Sequence, residues 1–424
     1  MKYLSYKKHL QRQELYVEDV AISKIAQQVS TPFYCYSHQN IIDNYQQFNA
    51  AFNKFKIKNY KICYAIKANY NLSIVNILAQ LESGIDAVSS GEIFRAIKAG
   101  INPKKIVFAG VGKTREDIFF ALSNGVEEFS VESSDEIYLL NQVAIDLGKT
   151  AKFSLRVNPD VDAKTHDKIS TGRKGDKFGV DIEKVEEIYH LAAKLPGLEI
   201  YGISMHIGSQ INNLKPFEIA FAKMRDLYNN LTKLGFSIKS LDFGGGVGIN
   251  YKDDTTINIE DYIKLINDLT CDINVAITIA PGRAIIGNAG ILVTKTLFTK
   301  HTSQKNYAII DAGINDLMRP GLYGSYHEIL PVTKDLNNNT NFKDVYDFAG
   351  PVCESTDILA KERRVTIPKI NDLYAFLSAG AYGSSMANEY NCRPLVPEVL
   401  VTGDKFKVIR RRPSFDEMIH LENT

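Results

Sequence analysis

One lysine stands where a buried strand is expected to end. Residues 62–66 form an apolar run that predicts a strand, and Lys67 follows it directly, just before a helix expected to begin after Asn71. An amine packed there against apolar surface would lose part of its ammonium form and could attack a carbonyl to form a Schiff base. A single lysine at a strand end more often extends to water, so this chemistry depends on its neighbours.

Several other stretches with chemical uses also follow expected strands. They are Asp86 with Ser89 and Ser90, His206 with Ser209, the run Gly244, Gly245 and Gly246, and the run Pro281, Gly282 and Arg283. Glycine runs let backbone N–H groups surround a phosphate, although they also occur as plain tight turns. A histidine ring can lie against a flat heteroaromatic ring, and an arginine can bind a carboxylate through two hydrogen bonds, but a lone histidine is more often a core residue and a lone arginine a surface residue. Gathered around Lys67, the set points to pyridoxal phosphate, an aldehyde cofactor that carries a phosphate.

The elements that position these residues alternate between short apolar runs and helical periodicity. We predict strands at 61–66, 85–88, 106–108, 128–131, 151–157, 200–206, 241–243 and 276–280, and helices at 72–81, 91–99, 115–124, 134–147, 182–194, 217–234 and 259–269. Eight strands separated by helices over roughly 250 residues predict a (β/α)8 TIM-like barrel, with a doubly wound open sheet as the alternative. A barrel carries its chemistry at the carboxyl ends of its strands, so the unusual stretches would share one mouth.

The remainder of the chain has a different pattern. Beyond residue 290, strands without long intervening helices are predicted at 291–298, 307–311, 345–349, 373–377, 397–401 and 406–410, which favours an all-β domain. We therefore expect a barrel at 32–283, a C-terminal β domain at 284–424, and an N-terminal segment, 1–31, that joins the β domain. The polar stretch 155–180 is expected to cross the top of the barrel.

Composition excludes several classes of function. The 424 residues carry 50 Lys and Arg against 49 Asp and Glu, a balance that argues against nucleic acid or an anionic membrane as the main partner. The five cysteines are scattered and lack a Cys-x-x-Cys pair, so we expect neither a disulfide framework nor a metal site. The polar N-terminus and the lack of a long apolar run predict a soluble cytoplasmic protein.

Seven motifs occur in an order that resembles one enzyme family. They are 64–69 (YAIKAN), 206–210 (HIGSQ), 242–246 (DFGGG), 281–283 (PGR), 318–320 (MRP), 350–355 (GPVCES) and 380–382 (GAY). Together, between about residues 32 and 394, they resemble the pyridoxal phosphate decarboxylases that join an alanine-racemase-like barrel to a β domain, and within them the diaminopimelate decarboxylases. The resemblance implies decarboxylation of meso-2,6-diaminopimelate to L-lysine, the last step of lysine biosynthesis.

The resemblance also implies roles for individual residues. Lys67 would carry the cofactor, and Cys353 would donate a proton in the partner subunit's site, within a homodimer that shares its active sites. The other cofactor ligands implied are His206, Ser209, Gly244, Gly245, Gly246, Ala280, Pro281, Gly282, Arg283 and Tyr382. The substrate ligands implied are Arg283, Arg319, Tyr323, Glu354 and Tyr382. Arginine would bind a distal carboxylate and Glu354 a distal ammonium, a combination that diaminopimelate satisfies and ornithine does not.

One residue departs from the family pattern. Family members carry glutamate before Pro-Gly-Arg, where it pairs with the ring nitrogen of the cofactor, but this chain has Ala280. A charge-assisted hydrogen bond of that kind contributes about 1.5 to 3 kcal/mol. The alternatives are a decarboxylase of ornithine, arginine or lysine or, because of Ala280, a weakly active or non-catalytic pyridoxal phosphate-binding homologue. A racemase would need a second acid/base group on the opposite face of the ring.

Overall fold

The computed structural model describes residues 3–9, 11–163, 172, 175–252, 255–336 and 343–422. The chain divides into two compact units. The barrel unit contains Asn44–Ile249 and Asp254–Ile285, and the sheet unit contains Met1–Asp43, Asn250–Asp253 and Ile286–Thr424. Among the described residues, no helix combines the length and apolar character needed to cross a membrane.

Eight parallel strands close into a barrel. In chain order they are Tyr60–Ala65, Gly84–Ala87, Ile106–Phe108, Glu128–Val131, Ala151–Asn158, Leu198–Ser204, Ser240–Asp242 and Ala276–Ile279. Each pairs with the next in the chain, and the eighth pairs with the first through Ile277 and Tyr60. This closure confirms the predicted barrel and excludes the open sheet. The polar stretch 155–180 lies partly outside the described residues, at 164–171 and 173–174.

Helices alternate with the barrel strands along the chain, and their bounds agree closely with the prediction. They are Leu72–Gln80, Ser90–Lys98, Arg115–Ser123, Ser134–Asp146, Val185–Ala192, Lys215–Lys233 and Ile259–Thr270, and His38–Lys54 precedes the first strand. Ser89, Thr114 and Ser133 each accept the N–H of the third helical residue, which fixes where three of these helices begin. Because Ser89 and Ser133 each come two residues after a barrel strand, they also fix short loops at the carboxyl ends of those strands.

The sheet unit contains two sheets. The larger has the order Ile358–Thr366, Lys343–Ala349, Asn306–Ile310, Gly290–His301, Phe33–Ser37, Glu398–Thr402 and Lys405–Arg410, with Leu373–Phe376 and Ile329–Pro331 off this path. The smaller contains Leu4–His9, Arg12–Val17, Val20–Ala21 and Thr333–Asp335. Among the described residues, this unit also contains the helices Ile22–Val29, Arg319–Tyr323 and Phe415–Ile419. A shared apolar core includes Phe33, Ile291, Val293, Ala375 and Val399.

The division between the units differs from the expected boundaries of 31/32 and 283/284. Residues 32–43 group with the sheet unit because the strand Phe33–Ser37 pairs with both Gly290–His301 and Glu398–Thr402. All five residues of this strand are buried. The later boundary falls at 285/286, and residues 250–253 also group with the sheet unit.

Candidate active site

Lys67 lies on a single 3-10 turn, Ile66–Ala68, directly after the first barrel strand. Ile66 and Ala68 are fully buried, whereas the Lys67 side chain is exposed. Our expectation that apolar packing desolvates this lysine is therefore wrong for the chain taken by itself. Its charge still acts at the mouth: burial raises the pKa of Asp86, and the Lys67 ammonium opposes that rise.

The turn that carries Lys67 packs against the end of the eighth strand. The Ala65 N–H donates to the Pro281 carbonyl at 3.2 Å. A Cβ at Gly282 would lie 3.1 Å from the Cβ atoms of both Ala65 and Ala68, so a side chain there would displace the turn. The structure thus brings Lys67 and the run 281–283 together, as predicted.

The glycine run 244–246 follows the seventh strand, and its backbone lies very close to neighbouring backbone atoms. A Cβ at Gly245 would lie 2.1 Å from the Ala280 carbonyl oxygen, closer than atoms can approach. At Gly246, φ is +111° and a Cβ would lie 2.4 Å from the Gly208 oxygen. Only glycine fits these positions, and the bare backbone that results suits an approaching anionic group.

His206 is half-buried at the end of the sixth strand. The Gly245 N–H donates to its Nδ1 at 3.2 Å, which makes Nδ1 an acceptor and places the proton of the neutral ring on Nε2. Burial lowers the pKa of His206 well below its usual range, and the positive charges of Lys67 and Arg156 lower it further. At neutral pH the ring is therefore uncharged, which suits contact with a flat aromatic group.

Arg283 and Ser209 meet at the same mouth. The guanidinium is buried, with 6% of the residue exposed, and its Nη2 donates to Ser209 Oγ at 3.2 Å. Ala280 is half-buried, and its N–H donates to the Gly244 carbonyl at 2.7 Å. Its methyl group supplies neither charge nor hydrogen bond to a ligand.

These barrel residues fit pyridoxal phosphate on structural grounds. The bare glycine backbone, together with the Arg283 guanidinium and the Ser209 hydroxyl, offers donors to a phosphate. The uncharged His206 ring offers a flat face, and Lys67 offers an amine. Ala280 fits poorly, because its methyl group cannot pair with the ring nitrogen of the cofactor as a carboxylate would.

A buried ionic network stabilises the ends of the third, fourth and fifth barrel strands. The sequence did not reveal it. Lys113 Nζ donates to Glu136 Oε1 at 2.5 Å and to two backbone carbonyls. Glu132 accepts from Arg156 Nη1 at 2.9 Å and from the Gly179 N–H at 3.0 Å. Losing one partner would leave a buried charge unpaired, which is costly. The network therefore fixes the ends of the third, fourth and fifth strands and the segment at Gly179.

The sheet unit carries the predicted substrate ligands Arg319 and Tyr323. They lie four residues apart on the helix Arg319–Tyr323 and therefore on one face. Arg319 is buried, with 5% of the residue exposed, and its guanidinium carbon lies 4.7 Å from the centre of the Tyr251 ring. Burial and this cation–π contact limit the orientations open to Arg319.

Cys353 and Glu354 are exposed on a loop that is fixed at its base. The Asp357 carboxylate accepts the N–H groups of Ile314 at 2.6 Å and Val352 at 2.7 Å. Burial raises the pKa of Asp357, and these two hydrogen bonds oppose the rise. Sequence reasoning missed Asp357, although an acid closing the GPVCESTD run was a usable signal.

A cavity of about 450 Å³ lies beside this loop within the sheet unit. Its wall includes Glu354, Asn315 and Tyr390, and also Met318 and Leu322 from around the helix that carries Arg319. Glu354 and the Arg319 helix therefore border the same concave surface. Glu354 is the acidic residue of this wall, and the basic Arg319 lies next to Met318, another residue of the wall.

Tyr382 has the least common backbone conformation among the predicted site residues. Its φ is +56°, in the left-handed region that bulky side chains rarely adopt, and the side chain is half-buried. The chain reaches this conformation after Gly380, where a Cβ would lie 2.0 Å from the Ile286 carbonyl oxygen. Local strain of this kind is concentrated at functional sites.

The predicted site residues thus fall into two groups. The barrel unit brings together Lys67, His206, Ser209, Gly244, Gly245, Gly246, Ala280, Pro281, Gly282 and Arg283. The sheet unit carries Arg319, Tyr323, Cys353, Glu354 and Tyr382.

Comparison with known proteins gives a consistent result. The family model described as "Pyridoxal-dependent decarboxylase, pyridoxal binding domain" matches residues 38–287. A diaminopimelate decarboxylase of Aquifex aeolicus is 45% identical over 408 residues, 96% of this chain and 95% of the relative. That of Haemophilus influenzae is 43% identical over all of both chains. The crystal structure of diaminopimelate decarboxylase from Helicobacter pylori with L-lysine has a TM-score of 0.89 at 39% identity, covering 95% of this chain and 99% of that one.

Proposed function

The chain belongs to the pyridoxal-dependent decarboxylases, in the diaminopimelate decarboxylase family, and we propose that it converts meso-2,6-diaminopimelate to L-lysine and CO2. The observation that carries this proposal is identity of 43% over the full length of a relative of that name. The charges of Arg319 and Glu354 support it, because this substrate has both a distal carboxylate and a distal ammonium.

Each group of residues has a chemical task in this proposal. Pyridoxal phosphate, when bound, supplies an aldehyde and an electron sink for the bonding pair that CO2 leaves behind. Lys67 would bind the aldehyde, His206 would lie on the ring, and Gly246, Gly282 and Tyr382 would contact the phosphate.

The remaining residues would act on the substrate. Arg319 would bind the distal carboxylate, with Tyr323 beside it, and Glu354 would bind the distal ammonium. Arg283 and Tyr382 would contact the substrate where it meets the cofactor. The Sγ of Cys353 would donate the proton that replaces CO2 on the substrate carbon.

We also propose a homodimer in which each subunit contributes Cys353 to its partner's site. The exposure of Cys353 on a firmly anchored loop supports this role, because a proton donor for another subunit must project from its own. We place the dimer in the cytoplasm, where free thiols stay reduced.

A panel of four amino acids tests the substrate. CO2 release should be fastest from diaminopimelate, and slower or absent from ornithine, arginine and lysine, which lack the distal carboxylate. The measurement is the initial rate of CO2 release with saturating cofactor. Faster turnover of ornithine than of diaminopimelate would show that the assigned substrate is wrong.

Lys67 should be the residue that binds the cofactor covalently, because its exposed amine follows the first barrel strand on a turn that packs against Pro281 and Gly282. Treating the cofactor-loaded protein with borohydride should fix the cofactor on the peptide that contains Lys67, as read by mass spectrometry. Lys67→Arg should not be labelled, whereas Lys58→Arg should be labelled normally. Labelling on another lysine in the unmutated protein would refute the assignment.

Ala280→Glu should increase kcat by about 10- to 100-fold, because a carboxylate facing the ring nitrogen favours its protonated form. Ala280→Gln is the matched control, since it adds similar bulk without charge and should increase kcat much less. Both variants need cofactor content measured alongside the rate. An unchanged or lower kcat with cofactor bound would show that this chain handles the ring nitrogen in another way.

A further inference from the structure

His327 forms a directed contact with Arg319 inside the sheet unit. The histidine is fully buried, and its Nε2 lies 2.9 Å from Arg319 Nη1. A guanidinium only donates, so Nε2 must be the acceptor. Nδ1 lies 2.8 Å from the Leu377 carbonyl, which only accepts, so Nδ1 carries the proton. The two contacts together select one neutral tautomer.

The backbone around this histidine is held as firmly as its ring. Gly324 ends the Arg319 helix with a φ of +62°, which turns the chain back toward Arg319. The Leu377 N–H donates to the Glu328 carbonyl at 2.8 Å, and Arg363 Nη2 donates to the His327 carbonyl at 3.1 Å. The imidazole therefore offers its acceptor from a fixed position.

Tyr251 completes the surroundings of the guanidinium. Its ring packs edge-on against His327, with centroids 5.5 Å apart and an interplanar angle of 85°. The same ring lies 4.7 Å from the guanidinium carbon of Arg319. One aromatic side chain thus contacts both members of the pair.

We propose that His327 is a positioning residue that orients Arg319 for the distal carboxylate of the substrate, an inference that rests on the proposed function. A neutral acceptor suits this task better than an acid. An aspartate or glutamate beside Arg319 would also orient the guanidinium, but it would neutralise the charge and compete with the substrate carboxylate. The neutral His327 ring fixes the direction of Arg319 without itself neutralising the positive charge.

Three substitutions distinguish the hydrogen bonds made by the two ring nitrogens. His327→Gln places an amide oxygen near the position of Nε2 and so retains an acceptor for Arg319. His327→Asn places an amide nitrogen near the position of Nδ1 and retains only the contact to Leu377. His327→Phe retains the ring against Tyr251 and removes both hydrogen bonds.

The Asn and Phe variants should increase KM for diaminopimelate by about 10- to 100-fold, the range expected when a hydrogen bond to a charged group is lost. Their kcat should stay within about threefold of the unmutated enzyme, because His327 touches no reacting atom. The Gln variant should recover most of the loss in KM. Affinity for L-lysine, measured by calorimetry on the cofactor-loaded protein, should change little in all three, because lysine has no distal carboxylate.

A double-mutant cycle with Arg319→Ala gives the decisive comparison. If His327 acts through Arg319, His327→Phe should raise KM much less when Arg319 is already alanine. If His327→Phe raises KM equally in both backgrounds, the inference is wrong. It is also wrong if His327→Phe lowers lysine affinity and melting temperature together, because His327 would then have only a structural role. If the unmutated protein releases no CO2 from diaminopimelate, both the proposed function and this inference are wrong. A KM insensitive to His327→Phe in an active enzyme overturns the inference alone.

Discussion

An equal mixture of Lys67→Ala and Cys353→Ala subunits, unfolded together and refolded with cofactor, should recover about a quarter of the unmutated activity. Each variant alone should be nearly inactive, since one lacks the amine for the cofactor and the other lacks the proton donor. Random pairing in a two-fold dimer makes about half of the dimers mixed. Each mixed dimer has one site with both residues intact, so about a quarter of all sites should work.

Controls make the recovered activity interpretable. Each variant refolded alone should stay inactive, and the refolded unmutated protein sets the reference rate. Cys271→Ala is the matched control for the cysteine, because Cys271 is also exposed but follows the barrel helix Ile259–Thr270. If Lys67 and Cys353 serve a site within one subunit, no mixture can assemble an intact site, and activity should stay at the level of the separate variants.

The barrel was predictable because its signals are local. The strand expected at 106–108 is Ile106–Phe108, and the helix expected at 134–147 is Ser134–Asp146. Each depends on the periodicity of its own residues and on a cap such as Ser133. The glycine run was equally visible, since close packing at Gly245 and Gly246 excludes every other residue type.

Features that depend on distant partners were not predictable in the same way. The strand Phe33–Ser37 lies between Gly290–His301 and Glu398–Thr402, more than 250 residues away along the chain. The strand Ile358–Thr366 was missed because its charged residues obscure the alternation of a strand. His327 gave no signal either, since its role depends on contacts with Arg319 and Leu377 that only the fold creates.

Arg319→Ala should raise KM for diaminopimelate by about 30- to 1000-fold, which corresponds to about 2 to 4 kcal/mol for losing a charge-assisted clamp in a dry site. The buried position of Arg319 supports the upper part of this range, because water screens a buried charge poorly. Arg319→Lys should recover only part of the loss, since an ammonium cannot bind a carboxylate through two parallel hydrogen bonds.

Arg12→Ala is the surface control for this experiment. Arg12 pairs with Asp335 at 2.9 Å, but its side chain is 68% exposed, so its loss should leave KM unchanged. Melting temperatures of all three variants separate lost substrate binding from lost folding, because Arg319→Ala also removes a buried contact with Tyr251. A folded Arg319→Ala enzyme with an unchanged KM for diaminopimelate would show that another group binds the distal carboxylate.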